Sequence, residues 1–450
     1  MELEKIKRAY FVGIGGIGMS ALARYFSKRG VRVCGYDKTR TRLTETLAEE
    51  GIAITYQDLE TEIPADFHRA GPEVLVVYTP AIPKDAAILN FFLQGGFALN
   101  KRSQVLGIIS LGMTCIAVAG THGKTTTSSV IAHILQDSLY GCTAFLGGIA
   151  ANYNSNVLYG NNNVVVVEAD EYDRSFLTLH PDLAVITSMD ADHLDIYGDA
   201  GSLEESFRLF AGQVKTGGRL FVRAGLPVQG NTYAVEQPAD VQATNIRVED
   251  GTFVFDYRDN QGTIEGVASR LPGRHNIENA TAAIAVARQL GISAEKIRTA
   301  LGNFKGVRRR FEYQVVRPDC VYVDDYAHHP EELRACFSAL RELYPDRKLT
   351  VVFQPHLFTR TRDFAAGFAQ VLSTVDDLLL LDVYPARELP IAGVTSAMLL
   401  DLVSGPEKAL VAKEAVTTVI GQKKPALLVT VGAGDIDTLV EPLKKLLDHA

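Results

Sequence analysis

The run Gly120-Thr121-His122-Gly123-Lys124-Thr125-Thr126-Thr127 ends as a phosphate-binding loop ends. In that motif backbone N–H groups cradle phosphates, the lysine reaches the outer ones and the next hydroxyl ligates Mg²⁺. Gly120 to Thr126 are therefore candidate nucleotide ligands, Lys124 above all, and Thr125 is a candidate metal ligand; Val118 stands where the general form has its first glycine. Mg²⁺ takes oxygen ligands, few of them from protein, so acids that end neighbouring strands matter. Glu168 follows the apolar run Val164 to Val167, and Asp190-Ala191-Asp192-His193-Leu194-Asp195 follows Ala184 to Thr187. A second loop, Gly13-Ile14-Gly15-Gly16-Ile17-Gly18, fits GxGxxG, with Asp37 at the end of the next strand. That spacing suits a dinucleotide bound through its diphosphate and a ribose hydroxyl, and the same turn can hold a UDP-linked diphosphate.

Loops of this kind need a strand before them and a helix after, and the sequence supplies both. Apolar runs Ala9 to Val12 and Thr114 to Ala119 each enter a glycine loop, and helical periodicity follows from about Met19 to Lys28 and up to about Leu135. A third segment repeats the pattern: Cys320 to Val323 leads into Asp324-Asp325-Tyr326-Ala327-His328-His329-Pro330 and a helix from about Glu331. Runs at Leu349 to Phe353, Leu378 to Asp382 and Ala426 to Val431 read as further parallel strands, and Asn152 to Asn163 reads as a polar loop. Strand, loop and helix in alternation predict an α/β chain with parallel sheets. Three domains are expected, 1–107 and 311–450 Rossmann-like and 108–310 a P-loop ATPase domain.

The 450 residues are 47% hydrophobic and 22% charged, which is ordinary for folded domains. With 45 basic and 53 acidic residues the formal charge is −8, which argues against a nucleic-acid or anionic-membrane binder. Cys34, Cys115, Cys142, Cys320 and Cys336 are odd in number and form no CxxC pair, so neither a disulfide framework nor a zinc knuckle is expected, and a cytoplasmic location fits. Met1 to Arg8 has no signal-peptide pattern and no apolar run approaches a membrane span. Read alone, the first loop suggests an NAD-dependent oxidoreductase, which leaves the second without a purpose. The second alone suggests a regulatory or motor ATPase.

Taken together, these motifs resemble the Mur ligase family over nearly the whole chain. The likeness rests on both loops and Asp37, on Glu168 to Glu171, on Asp192 to Asp195 with Tyr197-Gly198, and on Gly273-Arg274-His275-Asn276 with Asn279. It extends through Gly306 to Glu312, Asp324 to Pro330, and Gln354-Pro355-His356 with Thr359 to Asp363. The resemblance implies an ATP- and Mg²⁺-dependent ligase of peptidoglycan precursor synthesis with UDP-N-acetylmuramate and L-alanine as small-molecule substrates. It implies that Thr125 and Glu168 serve one Mg²⁺ and His193 a second, that Lys124, His193 and Arg310 are catalytic, and that Gly13, Gly15, Gly16, Gly18 and Asp37 serve the UDP-sugar. His275, Asn276, Asn279, Arg310, Asp324 and Tyr326 would serve ATP, and His328, His356 and Arg360 the amino acid. Joining two anions requires cations between them, which suits Lys124 and the Arg308-Arg309-Arg310 run, while Arg360 and Arg362 can grip a carboxylate. Leu357 departs from the family's arginine after Pro355-His356, which leaves a sister ligase that recycles a murein tripeptide as the alternative.

Overall fold

The computed structural model describes residues 2–190, 197, 199–249, 251–386 and 388–448. Asp192, His193, Asp195 and Arg387 lie outside the described residues. The chain divides into two compact units, one of residues 1–244, 257–265 and 279–304, the other of residues 245–256, 266–278 and 305–450.

In the first unit, β1 (Arg8–Val12), β2 (Arg32–Tyr36), β3 (Ala53–Thr55), β4 (Val74–Tyr78) and β5 (Leu99–Lys101) form a parallel sheet in the order β3-β2-β1-β4-β5. Strand order reverses between β1 and β4, and ligands of open parallel sheets bind at such a switch point beyond the carboxyl ends of the strands. The GxGxxG turn leaves β1 there and enters the helix Ile17–Lys28.

A second sheet contains β6 (Thr114–Ala119), β7 (Thr143–Ala150), β8 (Ser155–Leu158), β9 (Val164–Glu168), β10 (Leu183–Ile186), β11 (Arg219–Arg223), β12 (Asn231–Val235), β13 (Val241–Glu249), β14 (Thr252–Asp259) and β15 (Gly262–Ser269). Its order is β15-β14-β13-β12-β11-β10-β6-β9-β7-β8. Both neighbours of β6 are parallel to it, with Val118 level with Glu168 and Ala119 level with Ile186. The acid that ends β9 and the polar residues that follow β10 therefore flank the loop that follows β6. The stretch expected as a polar loop at Asn152 to Asn163 contains β8, antiparallel to β7. Its Asn156 is fully buried because the amide is satisfied, donating to Ile17 O (2.6 Å) and Ser20 Oγ (2.9 Å) and accepting from Arg24.

In the second unit, β16 (Glu312–Val316) runs antiparallel to β17 (Val321–Asp325), and the rest is parallel, in the order β16-β17-β21-β18-β19-β20, with β18 (Leu349–Phe353), β19 (Asp377–Leu380), β20 (Glu407–Leu410) and β21 (Leu427–Val431). The apolar runs read as strands sit in these sheets because they are buried on both faces, as in β18 and β21. All five cysteines are buried thiols. Among the described residues no helix is long and apolar enough to cross a membrane.

Candidate active site

The P-loop is held in shape by glycine backbone and by β10. Gly120 and Gly123 have φ of +132° and +84°, a region costly for any residue with a Cβ, and a Cβ on Gly123 would lie 2.6 Å from Asn279 Oδ1. Ser188 Oγ accepts from His122 N (2.7 Å) and pairs with Thr121 Oγ1 (2.9 Å), Thr187 Oγ1 donates to His122 O, and Asp190 N donates to Thr121 Oγ1 (3.0 Å). The helix Lys124–Asp137 follows with no side chain capping its first turn, so its leading N–H groups are available to an anion. Thr125 and Thr126 lie in that turn, and Thr127 Oγ1 donates to Asn279 Oδ1 (3.2 Å).

Lys124 Nζ donates to Gly120 O (2.6 Å) and Glu171 Oε1 (2.8 Å), with Glu171 Oε2 also at 2.8 Å; Glu171 is fully buried. Burial works against the ammonium, yet Glu171, Asp170 and Glu168 outweigh it and hold the lysine pKa above its ordinary value. Glu168 ends β9 with one carboxylate oxygen 3.0 Å from Gly147 N, and a Cβ at Gly147 would collide with that carboxylate.

Beside this loop a cleft reaches back to the glycine-rich turn of the first sheet. Its lining includes Ile17 and Gly18 of that turn, Glu168 and Asp170, and Arg102, Phe145 and Gly147. In the turn, Gly13 has φ +90°. Asp37 accepts from Gly15 N (2.8 Å) and from Thr39 N (3.0 Å). The acid picked out for a ribose thus braces the turn itself.

The second unit gathers a separate set of residues past the carboxyl ends of β17 and β18. The guanidinium of Arg310 lies 5.3 Å from the Tyr326 ring centre and its Nη1 is 3.9 Å from Glu332 Oε1. Tyr326 packs edge-on to His328 (5.3 Å), His328 edge-on to His356 (5.9 Å), and His356 stacks on Tyr384 (5.7 Å, 14°). Arg360, 8% exposed, lies with Nη1 3.4 Å from His356 Nδ1. Burial lowers the pKa of His328 to about 4, with Arg360 and Arg310 adding to the effect and Glu332 opposing it. His275 is lowered to about 4 by burial and Arg310. Both rings are neutral near pH 7, and the arginines hold the positive charge.

Arg360 sits on the short helix Phe358–Asp363, whose N-cap is Leu357 at φ +70° with no side-chain cap. A residue from another loop takes that role: Glu388 Oε2 accepts from Thr359 N (3.0 Å) and Oε1 from Thr359 Oγ1. Leu357 N donates to Tyr384 O (2.9 Å), which ties the two loops together. Asp324 departs from the expected nucleotide contact. It is fully buried, with Oδ2 bonded to Arg309 Nε (3.1 Å) and Oδ1 to Thr430 Oγ1 (2.7 Å). Its carboxylate fixes Arg309, which also donates to Gly432 O (2.7 Å) and lies over the Tyr326 ring (5.2 Å). Asn276 donates to Pro272 O (2.7 Å).

Three family models match the chain: "Mur ligase family, catalytic domain" over residues 8–113, "Mur ligase middle domain" over 118–287 and "Mur ligase, glutamate ligase domain" over 309–434. The chain belongs to the Mur ligase family. Among its relatives, the UDP-N-acetylmuramate–L-alanine ligase of Christiangramia forsetii is 50% identical over 448 residues, covering 100% of this chain and 99% of its own. That of Flavobacterium psychrophilum is 51% identical over 449 residues, covering all of both chains. The crystal structure of UDP-N-acetylmuramate-alanine ligase MurC from Thermotoga maritima matches with a TM-score of 0.84 at 27% identity, covering 98% of this chain and 99% of that one. A murein peptide ligase from Psychrobacter arcticus matches with a TM-score of 0.69 at 22% identity over 99% of each chain, a likeness of fold.

In this Mur ligase the first unit brings Gly120 to Thr126, Asn279 and Glu168 to one loop, and the second brings His275, Arg310, Tyr326, His328, His356 and Arg360 to one cluster. Sequence reasoning missed Thr187 and Ser188 around the P-loop and Arg102 in the cleft, and it gives no chemical role to Glu171, Tyr384 or Glu388, which it reaches only through the family likeness. Thr187 and Ser188 directly follow an apolar strand, a signal that acquires meaning only when β10 is known to lie next to β6.

Proposed function

We propose that this chain is an ATP-dependent ligase that joins L-alanine to the lactoyl carboxylate of UDP-N-acetylmuramate in peptidoglycan precursor synthesis. The observation that carries the reading is the end-to-end likeness, at 50 and 51% identity, to ligases named for those two substrates. A carboxylate oxygen attacks the γ-phosphorus of ATP and ADP leaves. The alanine amine then attacks the acyl carbon, phosphate leaves, and the amine proton is lost as the amide forms.

Each candidate residue has a part that its surroundings support. The uncapped helix start, Gly120 to Thr126 and Lys124 bind phosphate oxygens, and Asn279 braces the loop. The glycine-rich turn, kept in shape by Asp37, takes the UDP-sugar diphosphate. Arg310, His275, Asn276 and Tyr326 serve the nucleotide, with Asp324 acting through Arg309. Arg360 takes the alanine carboxylate, and His356 together with neutral His328 shapes the space for its methyl group. Thr125 and Glu168 offer hard oxygen donors, and no group of three His, Cys, Asp or Glu able to hold a metal occurs among the described residues. That donor set suits Mg²⁺ shared with substrate phosphates, which when bound neutralises phosphate charge; His193 is assigned to a second ion on the family resemblance. Buried free thiols fit a cytoplasmic enzyme.

The test is phosphate release from Mg-ATP in the presence of UDP-N-acetylmuramate, across single amino acids and a murein tripeptide, with the nucleotide product weighed by mass spectrometry. Release that needs L-alanine, with a product heavier by one alanyl residue, is expected. Addition of the tripeptide instead would make the chain a recycling ligase, and no amide product would overturn the ligase reading.

A further inference from the structure

Arg102 is the one cation among the described residues that line the cleft. It begins the helix Arg102–Leu111, its guanidinium lies against Gly18, where any Cβ would strike Nη1, and its Nη2 donates to Asp170 Oδ2 at 2.9 Å. It differs from a structural arginine such as Arg24, which is 8% exposed and held by Glu50 and Asn156 together. Arg102 is 24% exposed and its one ion-pair partner among the described residues, Asp170, is 37% exposed. A guanidinium presents a planar fork of donors matched to phosphate oxygens, and only one tine of this fork is used by Asp170.

We propose that Arg102 binds the diphosphate of the UDP-sugar, and that Asp170 holds the guanidinium in position until the diphosphate replaces it. The placement is specific. Gly18 belongs to the turn that takes the diphosphate, so the arginine that abuts it lies within reach of that group, and the absence of a side chain at position 18 is what lets the guanidinium approach. Asp170 is two residues from Glu168 and both line the cleft, so the exchange frees a carboxylate near the acid proposed to serve phosphoryl transfer. The assignment rests on the UDP-sugar reading above and adds to it a residue outside the glycine motif.

Binding of UDP, UDP-N-acetylmuramate and uridine to the full chain, measured by calorimetry, tests it. Arg102→Ala is expected to weaken UDP and UDP-N-acetylmuramate alike by about 10- to 100-fold, the range for a charge-assisted hydrogen bond, and to leave uridine and ATP unchanged. Arg102→Lys is expected to recover part of the loss. Asp170→Asn, which keeps the shape and removes the competing charge, is expected to tighten UDP several-fold. Undiminished UDP binding by Arg102→Ala would overturn the proposal, as would a loss confined to UDP-N-acetylmuramate, which would place the arginine on the sugar's carboxylate. Weaker or unchanged UDP binding by Asp170→Asn would overturn the holding role. A wild-type chain that binds neither UDP nor UDP-N-acetylmuramate would instead remove the substrate reading on which the proposal stands.

Discussion

Replacing Lys124 by alanine should damage the fold as well as the chemistry, and the two effects can be separated. Glu171 is fully buried and Lys124 is 13% exposed, with both carboxylate oxygens within 2.8 Å of the ammonium. Removing one partner of a buried ion pair leaves a desolvated charge uncompensated, a cost of about 3 to 5 kcal/mol, and the same loss of a cation at the phosphates lowers kcat by about 10² or more. Neutralising Glu171 in the same chain removes the stranded charge but returns nothing to the phosphates. Lys124→Ala is therefore expected to lose about 3 to 5 kcal/mol in denaturant titration. Lys124→Ala with Glu171→Gln should regain most of that while kcat stays depressed. A single variant as stable as wild type, or a double variant as unstable as the single, would refute the pairing. Near-wild-type turnover in either would refute the catalytic role of Lys124.

Arg360→Ala should raise KM for L-alanine with little change for ATP, because a carboxylate contact made equally in ground and transition states is lost; an unchanged alanine KM would remove Arg360 from that site. Glu388→Gln should raise the same KM by a smaller factor, since the amide oxygen still accepts one bond from Thr359 but without charge, and an equal rise in the ATP KM would contradict the assignment. His328 and His275 titrate near 4 in the folded chain against an ordinary value of about 6.5. Between those values only the unfolded chain takes up their protons, so this stability is complete above about pH 6.5 and falls as pH drops toward 4. Asp325, raised to about 6 by burial, opposes them by binding a proton in the folded state below that pH. Denaturant midpoints at pH 7 and pH 5 should therefore fall less in a His275→Gln, His328→Gln double variant than in wild type, and equal falls would show that these rings do not titrate as described.

Much of this was legible because chemistry and fold coincide at the ends of apolar strands. The helix expected from Met19 starts at Ile17, and that expected from Glu331 starts at Pro330, since a strand, a glycine or charged turn and a periodic run fix those boundaries locally. Residues whose role depends on sheet order were not legible. Thr187 and Ser188 reach the P-loop because β10 lies beside β6, and Glu171 reaches Lys124 because β9 lies on its other side. The role of Asp324 was legible only through the family resemblance, and what the sequence does not show is that β17 is buried along its whole length, with Arg309 and Thr430 holding the carboxylate. Asn156 misled, as a polar residue in a polar stretch that is nevertheless interior because every polar atom of its amide has a partner.

That asparagine bears on how this enzyme can be recombined with its kin. One apolar cluster runs from Ile6 and Phe11 through Leu22 and Phe145 to Val165, Ile186 and Phe207, and Asn156 ties Arg24, Ser20 and the backbone of Ile17 to β8. A chimera that takes residues 1–113 from a relative and the rest from this chain would graft a foreign face onto half of a shared interior. The heritable module for exchange is the stretch that carries both halves of the cluster, and a substitution in the first glycine helix has to be matched, generations later or on the designer's bench, by one in a strand more than a hundred residues away.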